Sequence, residues 1–517
     1  MASVDYYQRS YWRSFHEQKR DLDIMIKVKN DRRGTGSRID RYIDTNRAVG
    51  KAIDDAIASR TSLRMLGGRW SMSDIAHEKD SIMDTRSLNI KIAMKQEDLD
   101  ETSTEDANKV FLFQCGNDIK EINKYLKKRK LSLSTCGASN GQTIAGAIST
   151  GTHGAAMNFG CIQDFVVGLH IIVGSTKNYI IERASVPVIS KSFAESLNAE
   201  LVRDENLFNA ALVSMGSFGY IAGVFIRTED IYLLDNYVFD LKQNEVKQIF
   251  EQQEFDHPSI QAATGYARKP DHFKLFVNPY DNTEDIRMEI MYKLNDFELP
   301  DIPEGNESTH SYHKDVLSVI EAISDRASWT APLLLRLLKS AVLPKKVSND
   351  LGTLGQHFSD TKTRGRTFSC AMGISIDQIW EALTTLREMF KTHGPIPALI
   401  SMRLVKGTKA LLGWTNFALT CVLEIDGVQS KKSRALIQKI PAAFDDKGIA
   451  YTFHWGKMNP MDDKLVKKMY GNSYDEWIRQ RSRLMSEEEG MIFSSDHTII
   501  LGLGEYVIQN DPIDVVT

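Results

Sequence analysis

Between Cys136 and Gly160 the chain reads C-G-A-S-N-G-Q-T-I-A-G-A-I-S-T-G-T-H-G-A-A-M-N-F-G, with six glycines and five alanines in 25 residues. Glycine lets backbone pass close to a ligand and adopt positive φ. Small side chains leave N–H groups free, and successive N–H groups form concave anion sites. Ser139, Thr143, Ser149, Thr150 and Thr152 add hydroxyl donors, and His153 adds an imidazole. The pattern describes a wall of backbone and hydroxyl donors around a large phosphorylated ligand. The alternative is a glycine- and alanine-rich loop packed for its own sake.

Two further glycine turns accompany it. In L-R-M-L-G-G-R-W-S-M-S-D, Leu63 to Asp74, a short strand runs into Gly67-Gly68, followed by Ser71 and Ser73. Such a turn gathers several N–H groups at one point, which suits a pyrophosphate. S-M-G-S-F-G-Y-I-A-G-V-F-I-R, Ser214 to Arg227, is a glycine turn leading into a strand. Far along the chain lie charged groups on strands. Side chains alternate along a strand, so Ser401 and Arg403 share one face, and Thr420 and Glu424 share a face of the next strand. The last strand ends in F-H-W-G-K, Phe453 to Lys457. A cation aimed into a dry cavity stabilises a developing alkoxide, and a histidine there can move a proton. The alternative is a solvated sheet face.

The elements that must position these groups follow from periodicity. Residues 1–40 are charged and poorly periodic and read as an extension with little core. Arg47 to Arg60 reads as a helix with Val49, Ala52, Ile53, Ala56 and Ile57 on one face. Lys109 to Cys115 is an apolar strand, and Asn117 caps a helix ending near Lys130. Phe165–Val173 and Asn178–Glu182 form a hairpin. Residues 41–228 are thus one unit with three glycine-rich turns. After Glu229 glycine becomes rarer. From Thr367 the order is strand, helix to Lys391, strand at Ala398–Val405, strand at Asn416–Ile425, helix at Lys432–Asp445 and strand at Ile449–Trp455. That β-α-β-β-α-β order is a ferredoxin-like plan. The segment from Tyr474 holds one helix and a short tail, and no internal repeat of fixed period is evident. The fold class is α+β.

With 517 residues there is room for two or three domains, and 42% hydrophobic with 26% charged residues is ordinary for a globular protein. A net charge of −4 offers no global attraction to nucleic acid. Cys115, Cys136, Cys161, Cys370 and Cys421 form no CxxC pair and no zinc spacing, which fits a reducing, cytoplasmic setting without a metal. There is no secretory signal and no run of 18 apolar residues. The nearest candidate, Trp329 to Pro344, is interrupted by Arg336 and Lys339. It reads as a buried or cavity-lining helix, with peripheral membrane contact as the alternative.

Four separated segments resemble the FAD-linked oxidases of the vanillyl-alcohol-oxidase type, which have a PCMH-type FAD-binding domain. They are L-G-G-R-W-S-M-S-D, G-Q-T-I-A-G-A-I-S-T-G-T-H-G, S-M-G-S-F-G-Y-I-A-G-V and F-H-W-G-K. The last, with I-S-M-R-L-V at 400–405, is similar to the aldonolactone oxidase and alditol oxidase branch. The resemblance runs from about Ile43 to Gly504. It implies an FAD domain over 41–228, a substrate or cap domain over 229–470 with a large antiparallel sheet, and a segment, 471–517, that returns to the FAD domain. It implies that Gly67, Gly68, Arg69, Trp70, Ser71 and Ser73 hold the pyrophosphate. Gly137, Ala138, Thr143, Gly146, Ser149, Thr150, Gly151, His153 and Gly154 would line the ribityl chain and ring, and Gly219 and Ile221 would meet the cofactor. Arg403 and Lys457 would contact substrate and flavin, with His454 beside them as a proton partner and His153 only supporting the cofactor.

The implied activity is hydride transfer from the CH–OH group of a sugar lactone, polyol or other alcohol to flavin N5, then reoxidation by O2 to give H2O2. A dehydrogenase feeding a quinone or protein acceptor and a non-catalytic flavin scaffold are the alternatives. Three departures from the family pattern sharpen this. Trp70 stands where many relatives carry a histidine bonded to flavin, and no thiol serves instead, so FAD is expected to be non-covalent. Ser401 stands where alditol oxidases have an acid, and Glu424 is the candidate to substitute. Gly137 stands where relatives that react with O2 have glycine and a related dehydrogenase has alanine. The apolar stretch at 329–344 suggests a substrate larger or less polar than a small polyol.

Overall fold

The computed structural model describes residues 2–516 except 17, 32–35, 282–284, 298–342, 359–366, 394, 510 and 512. The apolar stretch Trp329–Pro344 therefore lies outside the described residues up to position 342.

The first forty residues are not a coreless extension. Ser3–Arg13 and Lys19–Lys29 form an antiparallel hairpin whose second strand pairs in parallel with Ser81–Asp84, which in turn pairs with Leu63–Leu66. Trp12, Leu22 and Met25 bury themselves against Leu66 and Ile82. The alternation of Leu22, Ile24, Ile26 and Val28 with Asp23, Met25 and Lys27 is the strand signal behind this. The first strand hides it by turning Tyr6, Tyr7 and Tyr11 outward.

A second, six-stranded sheet runs in the order Glu200–Arg203, Asn178–Glu182, Val166–Ile172, Tyr220–Arg227, Val110–Gln114, Lys91–Ala93. The helix before it begins at Arg38 rather than Arg47, because Ser37 and Asp40 form a reciprocal cap. The next helix, Ile119–Lys127, is capped by Asp118, whose carboxylate accepts from Glu121 N at 2.7 Å. Asn117 instead donates to the carbonyls of Ile90 and Gln114.

The third layer is an eight-stranded antiparallel sheet. Its order is Val347–Thr353, Leu233–Leu241, Ile286–Leu294, His272–Val277, Ala398–Lys406, Leu419–Val428, Thr367–Ser375, Tyr451–Phe453. The second four strands carry the ferredoxin-like order expected of them. The first four, numbered along the chain, repeat it in mirror sequence: 4-1-3-2 against 2-3-1-4. The halves join edge to edge where His272–Val277 pairs with Ala398–Lys406. A duplicated unit therefore exists in space without a repeat visible in the sequence.

After the helix Asp463–Tyr470, the C-terminal segment holds three helices rather than one, Asn472–Leu484, Glu487–Ile492 and Asp496–Ile500. Buried Arg481 donates to the carbonyls of Ser217 (2.9 Å) and Gly490 (2.5 Å), and Trp477 Nε1 donates to Val213 O at 3.3 Å. Buried Arg64 donates to the carbonyls of Ile75, Met215 and Phe493. Together they bind the C-terminal helices to the turn at Ser214–Gly219. Gly219 has φ +95°, and a Cβ there would lie 2.8 Å from the Ile172 carbonyl, so the turn requires glycine. Among the described residues no helix is long and apolar enough to cross a membrane.

Candidate active site

The three glycine turns and the eight-stranded sheet enclose a cavity of about 790 Å³. Backbone bonds hold the two sides in register: Met72 N to Gly456 O at 2.8 Å, Phe273 N to Ala155 O at 3.0 Å and Met157 N to Asp271 O at 2.8 Å. Thr143 precedes the short helix Ile144–Ser149, and the chain then turns through Gly151 toward His153 and Gly154. Gly67, Gly68, Arg69, Trp70, Ser71, Gly137, Ala138, Thr143, Gly146, Ser149, Thr150, His153, Gly154, Gly219 and Ile221 line the cavity on this side. Ser401, Arg403, Glu424, His454 and Lys457 line it on the sheet side.

Two expected positions do not line it. Gly151 lies under Trp414, whose Nε1 donates to the Gly151 carbonyl at 2.7 Å, and a Cβ there would meet the indole at 2.9 Å. Ser73 turns away and donates to the Trp455 carbonyl at 2.7 Å. Both tie the wall to the sheet domain rather than presenting donors to the cavity.

The sheet side is built around one carboxylate. Ser401 and Glu424 are direct cross-strand partners, and Arg403 lies two residues along the same face. Arg403 Nη1 donates to Glu424 Oε2, while Lys457 Nζ lies 2.8 Å from Glu424 Oε1 and Ser369 Oγ donates to the same oxygen at 2.8 Å. Burial works to raise the Glu424 pKa, but Lys457 and Arg403 overcome it and hold the carboxyl well below its usual range. Burial opposes charge on Lys457 as well, yet Glu424 and Asp426 raise its pKa. Glu424, the candidate to substitute for the acid absent at Ser401, is therefore held ionised as an anchor for two cations. Asp426, two residues along the same strand face, is pushed up by burial and by Glu424. On the adjoining half, Lys274 and Glu289 form a second ion pair at 3.3 Å facing the same cavity.

The two histidines have opposite tautomers. His454 Nδ1 accepts from Gly456 N at 2.9 Å, so its proton is on Nε2. His153 Nδ1 lies 3.0 Å from the Gly154 carbonyl, which can only accept, so its Nε2 carries the lone pair. Their rings flank Trp414, at 4.8 Å and 5.0 Å between centroids. Burial and nearby Arg403 lower His153 to about 3, and burial with His153 pushes His454 well below its usual value. His454 is thus a neutral donor, and His153, expected only to support the cofactor, presents the acceptor nitrogen.

Lys274, Glu289, Ser369, Asp426 and His16 also line the cavity without having been singled out from sequence. Asp426 shares the alternation of Glu424 and was within reach of that argument. The others meet the site only through strand pairing and chain reversal.

The wall fits a flavin dinucleotide. A Cβ on Gly67 would fall 2.2 Å from Thr143 Oγ1, and one on Gly68 2.5 Å from the Gly141 carbonyl, so the two turns approach as closely as bare backbone allows. Thr143 Oγ1, Gln142 Oε1, Arg69 Nε and Ser401 Oγ are buried at the cavity lining without a hydrogen-bond partner among the described residues. Among the described residues no group of His, Cys, Asp or Glu is arranged to hold a metal ion.

Comparison with known proteins agrees. Residues 41–177 match the family described as FAD binding domain. The whole chain superposes on cholesterol oxidase from B. sterolicum with TM-score 0.69 at 13% identity, covering 96% of this chain and 97% of that one. It also superposes on a VAO-type flavoprotein from Myceliophthora thermophila C1 with TM-score 0.57 at 11% identity, covering 91% and 78%. The chain thus carries an FAD binding domain at residues 41–177 within a fold that it shares with cholesterol oxidase and a VAO-type flavoprotein. In sequence it is similar to D-arabinono-1,4-lactone oxidase of Debaryomyces hansenii, 26% identical over 203 residues, which is 38% of this chain and 32% of the relative. It is also similar to L-gulono-1,4-lactone dehydrogenase of Mycobacterium tuberculosis, 21% identical over 437 residues, 84% and 89% of the two chains. The first curated relatives are matched over only a third of their length or less.

Proposed function

We propose that the protein is an FAD-dependent oxidoreductase that oxidises the CH–OH carbon of a sugar lactone or related alcohol, with O2 as electron acceptor and H2O2 as second product. The supporting observation is the opposition, across one cavity, of a donor-rich wall and the Arg403–Glu424–Lys457 cluster. When bound, flavin supplies the acceptor for the hydride leaving the substrate carbon. The chain's own residues do the rest. Backbone N–H groups at Gly67–Ser71 and hydroxyls along Thr143–Thr150 bind and orient the cofactor. Arg403 and Lys457 keep positive charge fixed where an alkoxide develops, and Glu424 prevents either from swinging away. His454 Nε2 donates to the reacting oxygen, and His153 Nε2 accepts from a substrate hydroxyl. Residues 41–228 with 471–517 hold the cofactor in this reading, and 229–470 cover its reacting end. Trp70 in the tether position makes the attachment non-covalent.

The test is direct. Purified protein is expected to be yellow, to release its colour to the supernatant on acid precipitation, and to form H2O2 with lactones or alcohols. A colourless preparation that never takes up FAD overturns the reading. Gly137→Ala sharpens the oxygen assignment. The added Cβ would sit 3.0 Å from Thr152 Cγ2, a contact that a small shift relieves. Stopped-flow reoxidation by O2 is expected to slow by about tenfold or more, while anaerobic flavin reduction stays unchanged. The second reading, a dehydrogenase, draws on the likeness to the Mycobacterium tuberculosis relative across most of both chains. A reduced flavin stable in air selects it.

A further inference from the structure

The N-terminal hairpin reaches the cavity at its tip, and the activity proposed above makes no use of it. The tip is closed by Ser14 N to Gln18 O at 2.9 Å. Phe15 N donates to the Arg69 carbonyl at 2.8 Å, and the Phe15 ring lies on Trp70 with centroids 3.7 Å apart and planes within 18°. Trp70 also packs closely on Gly141, where a Cβ would fall 2.5 Å from the indole Nε1. Trp70 is therefore held by both Phe15 and Gly141. His16 completes the contact. Its Nε2 lies 3.1 Å from the Trp70 carbonyl, which only accepts, and its Nδ1 therefore accepts from Thr367 Oγ1 at 2.9 Å. Thr367 begins the strand that carries Ser369 on the same face, and Ser369 holds Glu424. The turn so gripped is not relaxed by itself: Arg69 has φ +64°, a left-handed conformation that a side-chain-bearing residue keeps only when its surroundings impose it.

We propose that Phe15 and His16 are positioning residues for the cofactor: the hairpin tip clamps the Arg69–Trp70 turn shut over FAD and fastens it to the sheet domain, doing by stacking and hydrogen bonding what a covalent tether does in relatives. This rests on the non-covalent FAD reading. A dinucleotide under that turn leaves only when the turn opens, and opening requires unstacking Phe15 from Trp70 and breaking both His16 bonds.

The experiment compares FAD binding, not turnover. Apoprotein is titrated with FAD by fluorescence, and release is followed from holoprotein by ultrafiltration, for wild type, Phe15→Ala, Phe15→Leu, Phe15→Tyr and His16→Ala. Phe15→Ala and His16→Ala are each expected to raise the FAD Kd by about tenfold with faster release, and Phe15→Tyr, which keeps the ring, to restore it to within about twofold. Tyr11→Ala, on the exposed face of the same hairpin, is expected to leave it unchanged. Apoprotein melting temperatures separate loss of the clamp from loss of the fold. Should Phe15→Ala not fold, Phe15→Leu, which keeps apolar bulk without a stacking ring, decides. Wild-type Kd in a folded Phe15→Ala or Phe15→Leu protein overturns the clamp and leaves the flavin reading standing. Flavin that stays with the acid-precipitated wild-type protein overturns the clamp together with the non-covalent attachment and leaves the flavin-dependent activity standing, whereas wild-type protein that binds no FAD removes that activity as well.

Discussion

In both halves of the eight-stranded sheet the second strand supplies a cation to the cavity and the third supplies a carboxylate. These are Lys274 and Glu289 in one half, and Arg403 and Glu424 in the other. Lys274 and Arg403 stand opposite each other in register across the seam. The outcomes differ. Lys457, drawn in from beyond the last strand, has Glu424 and Asp426 to raise its pKa against burial. For Lys274 burial prevails: Glu289 opposes the downward shift, but Arg403 across the seam adds to it. The same strand order therefore yields one cation whose pKa is raised and one whose pKa is lowered. Asp426 raises and Arg403 lowers both lysines, so what separates them is the nearer ion pair: Glu424 lies 2.8 Å from Lys457 and Glu289 3.3 Å from Lys274.

Substitutions can break this contrast. Glu424→Gln should have the largest effect, because it leaves Arg403 and Lys457 buried without their shared counter-charge. Thermal or denaturant unfolding should show a loss of about 3–5 kcal/mol, and flavin reduction by substrate should slow by about 100-fold or more. Unchanged turnover would remove Glu424 from the site's machinery. Lys457→Met should leave the fold largely intact but lower the reduction rate on the order of 100-fold, read by anaerobic stopped flow.

Acid should then act on both halves alike. Burial lowers His272, in the first half, and His16, against the second, each to about 4. In the unfolded chain they titrate near 6.5, so the unfolded state binds the extra protons first. Stability is complete above about pH 6.5 and falls as pH drops toward 4. Each histidine accounts for up to about 3 kcal/mol of that loss. Melting temperature against pH should be flatter for His16→Gln over that window, and a profile identical to wild type would refute the assignment. Lys274→Met should be the mildest change, raising KM by about tenfold or less with kcat nearly kept. An effect as large as that of Lys457→Met would mean that the two halves are equivalent after all.

The wall and its flanking turns were legible because they depend on local backbone: glycine and small residues in C-G-A-S-N-G and G-T-H-G act where they stand. The ferredoxin-like half was legible because its strands and helices keep clean periods of two and 3.6. Its partner half was not, since Leu233–Leu241 and Val347–Thr353 meet as neighbours only after a long intervening stretch. The N-terminal hairpin escaped notice because its aromatic outer face masks the alternation of its inner strand. Ser73 and Gly151 match the motif residue by residue, yet Trp455 and Trp414 claim them from the other domain.

By itself, then, the sequence determined where backbone could approach a dinucleotide and which strand faces carry charge. Those follow from residue type and spacing along one segment. The tertiary structure decided that Glu424 holds two cations, that His153 rather than His454 offers a lone pair to the cavity, and that Phe15 and His16 pack on the Arg69–Trp70 turn. Each of these turns on a partner brought in by strand register or chain reversal, and a pKa or a tautomer belongs to the pair, not to the residue.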